Sequence, residues 1–264
     1  MKHKILVLIA LVFLSSCAVT ESVTFNEDGS GEFIVSYDMG MFMTAMKDKM
    51  GGGQSPDSEK KGKVMDSTFV FNDIMEKYAD SIATLPEEKQ EAFKAMKNMY
   101  MTMKMDEDKN EMNMGIGLKF NSIEDLVNMN ERIEQAKKLS GTSAQTDSMK
   151  NTPVGKFMGE EDADTAYTFD SNSFTRTTTL PENYSSEEID KMFEIKDEDD
   201  QEMNDMFSEA TYRVTLSFPK PIKTINVEKP QFSKDRTQVS YKVNWIEYLK
   251  NPKALDVKVT FVDE

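Results

Sequence analysis

The sequence predicts an α+β fold, with antiparallel β-sheets built from hairpins and helices packed on one face. Two observations lead there. Apolar residues alternate with period two in segments joined by short polar turns, at both ends of the chain and in its middle. Between those hairpins run stretches with helical spacing and recognisable caps. Hairpin-then-helix recurs without a fixed residue period, so it is not a sequence repeat.

Taken in order, Val19, Val23 and Phe25 alternate with Thr20, Ser22 and Thr24, and Phe33, Val35, Tyr37 and Met39 alternate likewise. The turn cluster NEDGSG at 26–31 joins them into a hairpin with one buried face. Residues 41–50 read as a short helix and 51–63 (GGGQSPDSEKKGK) as a mobile loop. Residues 69–82 read as helix, with Ile74, Tyr78 and Ile82 on one side, and Pro86 opens another that ends near Asn98. The clearest pattern follows. Met99, Met101, Met103 and Met105 share one face of a strand, residues 106–110 turn, and Met112, Met114, Ile116, Leu118 and Phe120 share one face of the return strand. Ser122 caps a helix carrying Ile123, Leu126, Val127 and Ile133. Residues 140–164 are rich in Ser, Thr, Gly and acids and are expected to be mobile. Tyr167 and Phe169, then 174–180, read as strands, and Ser185 with Glu188 forms a capping box for a helix. The acidic run 197–200 interrupts before Met203, Met206 and Phe207. Strands centred on Tyr212–Phe218, Val239–Trp245 and Val257–Phe261 complete the pattern.

The N-terminus has its own logic. Lys2, His3 and Lys4 make a basic start, and Ile5 to Leu14 is an unbroken run of ten apolar residues. A membrane span needs roughly 20 residues, so this run fits the core of a secretory signal instead. It ends in Leu14, Ser15, Ser16 and Cys17, which resembles the lipobox of bacterial lipoproteins. The resemblance implies that residues 1–16 are cleaved and that Cys17 carries acyl chains. A single extracytoplasmic domain then spans 17–264. Each buried methylene contributes roughly 0.8 kcal/mol, so two or three chains hold stably where one binds marginally.

Composition narrows the chemistry. Cys17 is the only cysteine and His3 the only histidine. One is consumed by lipid and the other leaves with the signal. The domain therefore has no disulfide, no His/Cys zinc site and no Ser-His-Asp or Cys-His machinery. No dinucleotide-binding or phosphate-loop glycine fingerprint occurs. Loss of Lys2 and Lys4 leaves 30 basic residues against 47 acidic ones, a formal charge of −17. That balance argues against nucleic acid as a partner and against broad contact with anionic lipid headgroups. Ser58 and Lys61 match the S-x-x-K pattern but lie in a loop without its companion motifs. The acids are too many for a catalytic pair to stand out.

The terminal parts resemble the LppM-type lipoprotein domain family. The resemblance rests on the hairpin directly after the cysteine (SVTFNEDGSGEFIVSYDM) and on the C-terminal strand series (YRVTLSFPKPIKTIN, then QVSYKVNW). It implies a membrane-tethered, β-rich extracytoplasmic domain. The helical middle and the Met-rich hairpin depart from the family pattern, so the resemblance bears on fold and address only.

Methionine is the compositional oddity, 21 of 264 residues. Met packs irregular gaps well, and period-two placement is what a buried sheet face shows, so core filling is the expectation for Met99, Met101, Met103, Met112 and Met114. The alternative is a thioether copper(I) site built from the same residues. The turn at 106–110 begins like a calcium loop but has Glu111 where glycine is required and Gly117 where the bidentate Glu belongs. Residues 26–31 fail likewise, with Tyr37 at the last position. Both read as solvated turns. Residues 197–200 read as a solvated helix end and Trp245 as a core anchor, with a ligand groove as the alternative for Trp245. The expectation is a non-enzymatic lipoprotein without cofactor, anchored in the outer membrane and facing the periplasm, acting in interaction or envelope structure. The alternative is a small-ligand or copper-binding lipoprotein.

Overall fold

The computed structural model describes residues 18–40, 63–126, 129, 132, 153–157 and 163–263. The expected helix at 41–50 and most of the two expected loops lie outside these residues.

The architecture is α+β, as the alternation predicts. Twelve strands form two sheets among the described residues. The larger contains β1 (Val19–Phe25), β2 (Gly31–Asp38), β3 (Val64–Val70), β4 (Met99–Asp106), β5 (Glu111–Phe120), β8 (Thr211–Ser217), β10 (Gln231–Phe232) and β11 (Gln238–Asn244), in the order β10-β11-β8-β1-β2-β5-β4-β3. The smaller contains β6 (Asp164–Phe169), β7 (Ser173–Thr179), β9 (Ile222–Ile225) and β12 (Val257–Phe261), ordered β6-β7-β12-β9. Neighbouring strands are antiparallel except β1 and β8, where Val19 stands beside Tyr212 and Val23 beside Leu216 in parallel register.

The period-two pattern decides which face turns inward. Val19, Val23 and Phe25 of β1, Phe33 and Val35 of β2, and Tyr212, Val214 and Leu216 of β8 are all buried. Their alternates Thr20, Ser22, Thr24, Thr215 and Ser217 form a polar outer face. The smaller sheet covers the inner face. Phe25 stacks on Phe169 at 4.1 Å between ring centroids, and Phe174, Phe218 and Phe261 pack around them. Helices run between the strands along the chain. These are α1 (Phe71–Lys77), α2 (Ala79–Ala83), α3 (Glu87–Ala95), α4 (Pro153–Phe157), α5 (Ser186–Met192), α6 (Glu198–Ser208) and α7 (Trp245–Lys250). Of these, α3 brings buried Ala92 and adjoins buried Met96, while α6 and α7 stack Phe207 on Trp245 and place Tyr248 against Tyr212.

Several elements depart from the sequence reading. Residues 64–70 form the edge strand β3, and helix begins only at Phe71, because Met65, Ser67 and Phe69 alternate opposite Met105, Met103 and Met101. The last C-terminal hairpin strand ends at Asn244, and Trp245 starts α7. The switch is made by Asn244, whose Oδ1 accepts from the backbone N–H groups of Ile246 and Glu247 at 2.9 and 3.2 Å, an N-cap. The acidic run opens α6: the Asp197 carboxylate accepts from Asp200 N–H at 2.9 Å, and the acids sit where the helix dipole favours them. The Ser185 cap holds as read, with Glu188 N–H donating to its Oγ at 3.3 Å. Within 140–164, Pro153–Phe157 forms a short helix with Pro153, Gly155 and Lys156 buried, and β6 begins at Asp164.

Candidate functional site

Alternation along β1 places Glu21 in phase with Val19, Val23 and Phe25, on the inward face. Alternation along β7 places Arg176 between Phe174 and Thr178, also inward. When the two sheets close, these charges meet at the centre of the molecule, each side chain 2% exposed. Arg176 Nε donates to Glu21 Oε1 at 3.0 Å and Nη2 donates to Oε2 at 3.1 Å. The Tyr167 hydroxyl donates to Oε1 and the Tyr212 hydroxyl to Oε2, both at 3.1 Å. Arg176 Nη1 donates to Thr178 Oγ1 at 3.2 Å.

Each carboxylate oxygen thus receives a guanidinium and a phenol, which is what a buried charge needs. Burial opposes the charge on Arg176, but Glu21, Tyr167 and Tyr212 more than offset it, so the guanidinium is held above its ordinary range. Nearby, Asp256 Oδ1 lies 3.8 Å from Arg176 Nη1 and is buried without a hydrogen bond. Burial pushes the Tyr241 phenol up, and its hydroxyl donates to the Leu255 carbonyl at 2.8 Å. The cluster is closed to solvent and its carboxylate is saturated. Its chemistry is to hold β1 of one sheet to β7 of the other.

The sequence-predicted candidates fall elsewhere. Cys17, Ser58 and Lys61 lie outside the described residues. Ala18 is the first described residue. It is 1% exposed, its carbonyl accepts from Asp38 N–H at 2.9 Å, and β1 starts at the next residue. Met99 is fully buried, whereas Met101, Met103, Met112 and Met114 are half-buried, so the core expectation holds in full for one of the five. The other four lie on the same inner face toward the open ends of β4 and β5, with Met112 packed against the core. Cross-strand register sets Met103 opposite Met114 and places Met65, Met105 and Met112 in one row across β3, β4 and β5. Trp245 is 1% exposed and stacks on Phe207 at 4.7 Å, which makes it a core anchor and not a groove residue.

The two acidic turns spend their carboxylates locally. Asp28 Oδ1 accepts from Ser30 N–H and Oγ–H at 3.0 and 2.6 Å. Asp106 accepts from the backbone N–H groups of Asp108 and Lys109 and pairs with Lys109 Nζ at 2.8 Å. An open groove of about 640 Å3 beside β8 and β11 is lined by Arg213, Lys229 and Lys242 and by Glu228, Glu247 and Asp256, a balanced set of charges. A smaller recess of about 240 Å3 lies against Tyr100, whose hydroxyl donates to Glu32 at 2.9 Å.

No family model matches the chain. No curated protein matches it either. Among solved structures, the chain is similar to the folded domain of Mycobacterium tuberculosis LppM, determined by NMR. The identity is 10%, the match covers 93% of this chain and 90% of that one, and the TM-score is 0.34.

The central cluster is what sequence reading missed. Its signal was present: a charge in the apolar phase of an alternating strand, at Glu21 and again at Arg176. Neither residue is informative alone. Each gains meaning only once the strands bearing them are known to face one another.

Proposed function

We propose that this chain is a lipid-anchored, non-enzymatic lipoprotein of the bacterial envelope, working through interaction or structural support. The observation that carries the reading is the N-terminal sequence, where a basic start and a ten-residue apolar run end in Leu14, Ser15, Ser16 and Cys17. The position of β1 at Val19–Phe25 supports it, because that strand is built entirely from residues after Cys17. A non-enzymatic role is supported by a domain lacking histidine and thiol, whose central charged constellation is sealed and saturated. Outer-membrane attachment facing the periplasm rests on Ala18, which stands where some lipoproteins carry an inner-membrane retention aspartate. Cys17→Ser should abolish acylation, read as loss of the lipid mass, and shift the protein from the membrane fraction or leave it unprocessed. Wild-type protein that keeps residues 1–16 and stays soluble without detergent overturns the reading. Protease shaving of intact cells that removes the domain overturns the facing.

One observation favours a second reading, copper(I) binding. A thioether site needs sulfurs from more than one strand, because same-face neighbours along a strand stand about 6.5–7 Å apart. The row Met65, Met105 and Met112 supplies three strands, with directly opposed Cβ atoms about 4.5–5.5 Å apart. Copper(I) titration of the purified domain under reducing conditions tests it. Stoichiometric binding that Met105→Leu and Met112→Leu remove supports this reading, and no saturable binding ends it.

A further inference from the structure

The fold leaves no spacer between the acylated residue and the body of the domain. Cys17 is one peptide unit, about 3.8 Å between Cα atoms, from Ala18. Ala18 is buried, its carbonyl is bonded to Asp38, and Val19 is already paired on both sides, with Tyr37 of β2 and Tyr212 of β8. β1 stands in the middle of the larger sheet, not at an edge. A tether attached there cannot swing freely without unpairing a central strand.

The registers identify which part of the molecule shares that end. Asp38 stands opposite Asn113, and Asp106 opposite Glu111, so the tip of the β4–β5 hairpin lies on the Cys17 side. So do the start of β8 at Thr211 and the end of β11 at Asn244. Met114 is level with Val19 through Tyr37, and Glu111 lies three residues further along. The hairpin therefore projects past the start of β1 by about 10 Å along its own strands, at about 3.4 Å per residue, somewhat less along β1 once sheet twist is allowed for. The opposite end carries the Asp28 turn and the Asp235 turn. β1 alone separates the two ends by about 20 Å.

Resting on the lipid-anchor reading above, we propose that the domain sits flush on the bilayer in one orientation, with the tip of the β4–β5 hairpin at residues 106–111 apposed to the headgroups and the turns at Asp28 and Asp235 facing away. The tip suits contact with a zwitterionic headgroup surface rather than insertion. Asp106, Glu107, Asp108, Lys109, Asn110 and Glu111 are all polar, and entry of such groups into hydrocarbon is costly. The occupant of this surface is a zwitterionic lipid headgroup layer, fixed by the covalent anchor one residue before Ala18 at the same end of the sheet.

The test uses the full-length acylated protein in phosphatidylcholine vesicles. Cys17 is consumed by lipid, so Asp108→Cys, Asp28→Cys and Asp235→Cys each supply a single labelling site. A fluorophore at each position is read for quenching by a nitroxide headgroup lipid. Quenching should be several-fold stronger at position 108 than at 28 or 235. A linker of about twelve Gly/Ser residues between Cys17 and Ala18, spanning roughly 20 Å, should erase that difference while the protein still floats with the vesicles. Equal quenching at all three positions in the unmodified protein, or stronger quenching at 28, overturns the proposal. Failure to float, or absence of the acyl mass, overturns the anchor reading instead, so the two are told apart.

Discussion

At the scale of single residues, the centre of the protein is held by a salt bridge where an apolar pair would also fit. Removing one partner leaves the other charged, buried and uncompensated, which typically costs about 3–5 kcal/mol. Arg176→Ala or Glu21→Ala should lower stability by that amount in chemical denaturation. The double replacement Glu21→Leu with Arg176→Met should recover part of the loss, because an apolar pair avoids the desolvation of two ions while the Tyr167 and Tyr212 hydroxyls lose their acceptor. Additive losses in the double variant would show that the pair is not coupled as drawn. The phenols give a second measurement. Tyr241 is raised by burial, with Glu21 and Asp256 adding to the shift and Arg176 opposing it; Tyr100 is raised by burial and by Glu32. An unfolded tyrosine releases its proton near pH 10, where the folded protein still holds both. The unfolded state then binds fewer protons, so stability is complete below about pH 10 and falls as pH rises above it. Tyr241→Phe should flatten that alkaline fall, read as denaturation midpoints followed upward from pH 9, and a slope identical to wild type would count against it.

At the scale of elements, the Met-rich hairpin divides into two parts with different energetics. Met99 is fully buried, level with Leu118. Met99→Ala should therefore cost about 2–5 kcal/mol, the range for buried methionine, and Met99→Leu should be nearly neutral. Met103 and Met114 are half-buried toward the open end, so truncating either should cost about 1 kcal/mol. Equal losses at Met99 and Met103 would mean the two ends of the hairpin are packed alike. The return strand shows a further device on the outer face. Gly117 has the Tyr100 ring laid over it, so close that a Cβ there would meet the ring at 2.2 Å. That glycine gives the aromatic ring its seat and lets its hydroxyl reach Glu32. The hairpin itself was legible from sequence because its apolar residues keep strict phase through two strands and a short turn. The edge strand β3 was not, because Val64, Asp66, Thr68 and Val70 form a mixed outer face and the strand runs straight into α1.

At the scale of the whole molecule, the topology binds the two ends of the chain into one unit. β1 pairs in parallel with β8, nearly two hundred residues later, and Glu21 of β1 is closed by Arg176 of β7. The N-terminal hairpin therefore cannot complete its sheet or satisfy its charge without the C-terminal half. Unfolding should be a single transition, with Trp245 fluorescence and far-ultraviolet circular dichroism giving the same midpoint. Two separated transitions would mean that the halves fold independently and that 17–264 is not one domain.

The sequence by itself determined the period-two strands, the cap at Ser185 and the confinement of the one histidine and the one cysteine to the first 17 residues. These are local properties, written in neighbouring residues or in composition. Tertiary structure alone decided that Glu21 meets Arg176, that β1 pairs with β8 in parallel, that Trp245 turns from strand into a buried helix start, and that the tip of the Met-rich hairpin shares an end with the start of β1. Each of these is a pairing between segments distant in the chain. Periodicity shows which face of a strand is apolar, but it carries no record of what that face will be laid against.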